Sequence, residues 1–126
     1  MNRHEYRVQV VFALYQSLLL KKDLVLSFDD NFEDDKNEFV ESIKEDLIIN
    51  LNSYIDLISP LLVKWTFDRL SYLEQAILLV ATSEIKQNLN NKKIVIDEAI
   101  RISKKYCDAD SYKYINGVLD NLWNIQ

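Results

Sequence analysis

The residue types able to do chemistry in this sequence are few, and those present suit binding better than bond cleavage. His4 is the only histidine and Cys107 the only cysteine. Paired thiolates for zinc, and a nucleophile with an imidazole base, therefore lack parts. The sequence carries neither a glycine-rich phosphate loop nor an HExxH pair, which removes the common nucleotide and metalloprotease arrangements. Carboxylates are numerous, but pairs at helical spacing are most often a solvated face, and glycosidase-type chemistry also needs a cleft between them. No catalysis, cofactor or metal is expected. What remains is cationic and aromatic. Arg3 and Arg7 stand four residues apart, so on a helix they share a face and could address one run of phosphates; the alternative is a pair of solvated charges. Lys113 and Tyr114 set a cation beside a ring able to stack on an unpaired base. A half-buried packing ring is the alternative for Tyr114.

The elements that must position these residues are helices. Glycine and proline occur once each, at Gly117 and Pro60, too few for the turns of a strand-rich fold. Val8, Val11, Phe12, Tyr15, Leu18 and Leu19 recur at spacings of three and four, which predicts one helix over about Arg3 to Lys21. Asp29 to Lys36 reads as an acidic connector anchored by Phe32. A helix follows from about Asn37 to Leu51, and another from Ser53, with Ser59-Pro60 either restarting or kinking it. Ser71-Tyr72-Leu73-Glu74 has the form of a capping box opening a helix. The apolar Ala76 to Ala81 that follows belongs in the middle of the fold. After a polar turn at Leu89 to Lys93, Ile96, Ala99, Ile100, Ser103 and Tyr106 share a face. The last helix, capped by Asp110-Ser111, should turn Tyr112, Ile115, Leu119 and Leu122 inward, with Gly117 permitting close packing. The fold expected is all-α, a single domain over residues 1–126 of about six to seven helices. No apolar run exceeds six residues, far short of the roughly 20 needed for a membrane span. The start, with Arg3, His4, Glu5 and Arg7 in an amphipathic pattern, does not read as a leader, so a cytoplasmic location is expected.

A net charge of −5 would ordinarily argue against nucleic acid. Its distribution alters that reading. Asp23 to Asp46 holds ten acidic residues against Lys36 and Lys44, a balance of −8, so the remainder carries +3. The acidic stretch reads as a solvated face, the alternative being an electrostatic wall that keeps RNA on the opposite side.

Four blocks, in order along nearly the whole chain, carry a resemblance. They are Ala13-Leu14-Tyr15, Trp65-Thr66-Phe67-Asp68-Arg69-Leu70-Ser71, Ile96 to Ile100 with Lys104-Lys105-Tyr106, and Ser111 to Asp120. The last, SYKYINGVLD, is the most specific. Together they resemble the NusB family of transcription antitermination proteins. That resemblance implies two packed helical bundles, pairing with the ribosomal protein NusE, and binding to the boxA element of ribosomal RNA leaders within an antitermination complex with RNA polymerase. A homodimer of the free chain is compatible with it. A NusB-like domain of a ribosomal-RNA methyltransferase fits less well, because 126 residues leave no room for a cofactor domain.

Carried onto this sequence, the resemblance points to Arg3, His4, Arg7, Lys113 and Tyr114 for RNA, and to Tyr15, Glu84 and Asp110 for the protein partner. Residue by residue, other readings stay open. Tyr15 continues a buried stripe and could simply pack. Glu84 lies on the face of Leu73, Ile77 and Val80, where a charge needs compensation from a partner protein or a neighbouring Lys or Arg. Asp110 is equally a helix cap. The chain also departs from the family pattern. The N-terminal arginine cluster is thinned to Arg3 and Arg7, tyrosine replaces the usual phenylalanine at position 114, and Asn91, Lys92 and Lys93 replace the prolines before the penultimate helix. Fewer phosphate contacts mean weaker binding and a shallower salt dependence. The competing function is a helical protein-protein adaptor with little RNA affinity of its own.

Overall fold

The computed structural model describes residues 1–32 and 37–124, whose secondary structure is six α-helices and two short 3-10 turns. Helix α1 (Arg3–Leu20) starts where the Asn2 side chain accepts the Glu5 amide, and ends at Lys21 in the left-handed region, φ 52°. Helix α2 (Leu24–Phe32) occupies the first half of the acidic stretch, where a connector was expected from Asp29 onward. The Asp23 carboxylate accepts the amides of Val25 and Leu26 at its start. The buried Ser27 hydroxyl donates to the Ala13 carbonyl, while Phe28 and Phe32 stack in the core. Two aromatic anchors and a capping carboxylate outweigh the charge. Positions 33–36 of the expected connector lie outside the described residues.

Helix α3 (Glu38–Ile58) is continuous through Ser53, where sequence reading divided it. Buried Phe39, Val40, Ile43, Leu47, Tyr54 and Ile58 keep helical spacing across that point, so packing overrides one polar residue. Ser59-Pro60 neither begins an α-helix nor kinks one. It closes α3 in a 3-10 turn, Ser59–Leu61, with the Ser59 hydroxyl donating to the Ile55 carbonyl. A second 3-10 turn, Phe67–Arg69, leads to the capping box, in which Ser71 and Glu74 exchange both hydrogen bonds.

Helix α4 (Tyr72–Gln87) is buried without interruption from Gln75 to Ile85. Helices α1, α3, α5 (Lys92–Tyr106) and α6 (Ser111–Asn124) pack against it, and α2 packs on α1 and α3. One apolar core joins them. Val95, Ile102 and Val118 reach that core, while Tyr106 stays exposed and Tyr112 is half-buried. Gly117 is exposed, and a Cβ added there would meet nothing within 4 Å. Close helix packing is therefore not its role. None of the described helices is long and apolar enough to cross a membrane.

Candidate functional site

The N-terminal cations are held unequally. Arg3 is exposed, with its guanidinium 4.4 Å from the centre of the Phe39 ring. Arg7, one turn on, is only 3% exposed and grips Glu84 through two hydrogen bonds, Nε to Oε2 at 2.8 Å and Nη2 to Oε1 at 2.7 Å. Glu84, 1% exposed, also accepts from Asn90 at 3.0 Å. The expectation that Arg3 and Arg7 present one charged face is thereby corrected: Arg7 points inward because a buried carboxylate waits for it. Glu84 is likewise no partner-facing charge, its compensation coming from within the chain. A planar guanidinium gripping both carboxylate oxygens is the geometry that tolerates desolvation best.

Glu98 on α5 ties this pair to the surface. Its Oε2 lies 2.5 Å from His4 Nδ1 and 3.7 Å from Arg7 Nη1, so His4 is engaged and only partly accessible. From Glu98 the exposed side of α5 continues as Arg101, Lys104 and Lys105. Arg101 carries a side chain 65% exposed at 4.0 Å from Glu98, and Lys104 sits 4.5 Å over the Tyr112 ring at the start of α6. These three cations were missed as candidate site residues by sequence reasoning. Their signal was present in the spacing of three and four residues opposite the buried Val95, Ala99 and Ile102, but Lys104 and Lys105 counted only toward the family block.

Lys113 and Tyr114 follow Tyr112, the ring beneath Lys104, at the start of α6. Lys113 is exposed and lies 3.3 Å from Asp110. Ser111 spends its hydroxyl on Glu74 Oε2 at 2.6 Å, and Asp110 faces Lys113, so the capping expected of these two side chains gives way to other pairings. Tyr114 is half-buried, its hydroxyl oxygen sealed from solvent beside Glu74 and completing no hydrogen bond of good geometry with any described residue. Burial first, then the Glu74 charge, pushes its ionisation far above the ordinary phenol range. The Glu74 carboxyl is itself held below its ordinary value, because hydrogen bonds from Ser111 and the Ser71 amide outweigh its burial. Cys107 nearby is pushed up to about 11 by burial and by the charges of Glu74 and Asp108. That keeps it a poor nucleophile.

Tyr15 edges a groove of about 530 Å³ between α1, the start of α4 and the end of α5, with Leu19, Tyr72, Leu73 and Tyr106. Phe12 meets Tyr15 and Tyr106 edge to face at 6.1 and 5.0 Å. Leu19, Tyr72 and Tyr106 expose 46%, 40% and 39% of their surface, beside Glu74 and Asp108 in the same lining. The three partner candidates are not brought together. Tyr15, on α1, lies beside the start of α4, Glu84 is near the end of α4, and Asp110 is in the loop before α6. Nor are the RNA candidates brought together: Arg3, His4 and Arg7 lie on α1, His4 against Glu98 of α5, whereas Lys113 and Tyr114 lie on α6.

With this geometry, the comparisons are specific. The NusB family model matches residues 1–124. The transcription antitermination protein NusB of Staphylococcus aureus strain JH9 is 35% identical over 127 residues, covering 97% of this chain and 98% of that protein. The protein of strain Newman is equally similar. Among solved structures, T. maritima NusB superposes with a TM-score of 0.89 at 29% identity, over 100% of this chain and 93% of that one. Antitermination factors NusB and NusE in complex with dsRNA give a TM-score of 0.84 at 22% identity, over the whole of both chains. That last likeness is one of fold.

Proposed function

The chain belongs to the NusB family, and from that premise we propose that it is an RNA-binding transcription antitermination factor that pairs with NusE on boxA RNA. The reading includes a cytoplasmic setting on ribosomal RNA leaders and assembly with RNA polymerase, and treats the protein as a binding factor with no catalytic step. The observation that carries it is the exposed run Arg101, Lys104 and Lys105 on α5, with Lys104 over the Tyr112 ring at the start of α6. In a chain of net charge −5, exposed cations clustered on one helix can still neutralise phosphates and release their counterions. NusE is assigned to the Tyr15 groove, whose exposed aromatic edge suits a protein better than a charged strand.

A second reading, the adaptor with little RNA affinity, draws support from the burial of Arg7, which removes one of only two N-terminal arginines from the surface. Binding of a fluorescent boxA-like single strand to the protein with NusE separates the two. The RNA reading expects Arg101→Ala and Lys105→Ala each to weaken binding with the fold unchanged. Affinity indifferent to both substitutions would favour the adaptor.

A further inference from the structure

Glycine in a helix interior costs stability relative to alanine, and is kept where a positive φ or a close approach demands it. Gly117, the only glycine of the chain, has neither reason: its φ is not positive, and a Cβ there would meet nothing within 4 Å. What lies beside it is a groove of about 440 Å³ between α6 and the loop after the first 3-10 turn. Trp65, 54% exposed, and the half-buried Tyr114 line it with Val63, and Lys64 and Lys113 add two cations. Asp110, the one acid in its lining, is already beside Lys113. A concave site of this size lined by two aromatic rings and two cations suits a planar, anionic unit. Through Lys113 it also reaches the start of α6, where Lys104 lies over the Tyr112 ring.

We propose that this groove receives one unpaired nucleotide of the bound RNA, its base against Trp65 and Tyr114 and its phosphate toward Lys64 and Lys113, and that Gly117 keeps the groove open. The assignment rests on the RNA-binding reading and adds Lys64, Trp65 and Gly117 to it. Bases stack on aromatic side chains irrespective of identity, and neighbouring cations offset the backbone charge. A leucine at Gly117 would project into the groove while improving helix propensity, so lost binding could not be blamed on a weakened fold.

The test uses the full chain with Trp123→Phe, so that emission reports Trp65 alone, titrated with a single-stranded RNA 12-mer in the presence of NusE. Binding should quench Trp65 fluorescence. Trp65→Ala and Gly117→Leu should each weaken RNA binding roughly tenfold, within the range of one lost base stack, and Gly117→Leu should not lower Tm. RNA binding that is unchanged in both variants, with Trp65 emission unmoved, overturns the groove and leaves the proposed function standing. Gly117→Leu weakening NusE binding while sparing RNA would show a protein occupant and overturn it equally. No RNA binding by the unsubstituted chain would remove the proposed function, and this site with it.

Discussion

Arg7 and Glu84 show most sharply how one side chain can be read two ways. A desolvated ion pair contributes little net stability when intact, yet removing one partner strands the other charge in a low-dielectric interior. Glu84→Ala should therefore destabilise the protein by about 3–5 kcal/mol in urea unfolding, whereas joint replacement by Arg7→Met and Glu84→Leu should recover most of that loss. A loss below about 1 kcal/mol for the single variant would contradict the burial observed. Glu74 gives a pH-dependent counterpart. Its carboxyl is held below the ordinary value in the fold, so its contribution is present above the unfolded pKa and disappears as pH falls through the lower, folded one. Unfolding midpoints measured downward from pH 5 should decline less steeply for Glu74→Gln than for the unsubstituted chain. Parallel declines would mean that the Ser111 and Ser71 hydrogen bonds do not favour the charged form.

At the scale of elements, periodicity and capping chemistry were legible where they acted locally. The Ser71–Glu74 box opens α4 as its residues require, and the Ala76 to Ala81 run lies in the centre because no face of it is polar. Helix α2 was obscured because its anchors, the Ser27 hydroxyl on Ala13 and the Phe28–Phe32 stack, are spread among charges. Continuity of α3 through Ser53 depends on partners distant in sequence, which no local window contains. The same holds for the site. Periodicity put Val8, Phe12, Tyr15, Leu18 and Leu19 on the buried stripe of α1, whereas the buried residues are Arg7, Val10, Val11, Ala13 and Leu14 and Leu19 is exposed. Which face turns inward, Arg7 included, needed the register of α1 against α4. Gly117 was read as a packing glycine because sequence says nothing about what stands opposite it. Since its backbone is helical and its surroundings open, Gly117→Ala should stabilise the protein by about 0.5–1 kcal/mol. A lower Tm in that variant would reveal a contact that the open surroundings deny.

At the scale of the whole molecule, the proposed RNA binding requires cations to act within an acidic total. The stretch from Asp23 to Asp46 carries −8 and the remainder +3, with Arg101, Lys104 and Lys105 exposed on α5. Long-range repulsion from the acidic stretch is screened beyond about 8 Å at physiological salt, while cations touching phosphates act at contact. NusE should raise RNA affinity if both ligands favour the same arrangement, and RNA must then raise NusE affinity by the same factor. The salt dependence of binding tests the central claim most directly. With NusE held saturating, the affinity for a boxA-like single strand should fall linearly in log K against log salt. Arg3→Ala, Arg101→Ala and Lys105→Ala should each reduce the slope by about 0.7, the value of one single-strand phosphate contact. An absence of binding even at low salt, or a slope that none of the three substitutions alters, would contradict the account.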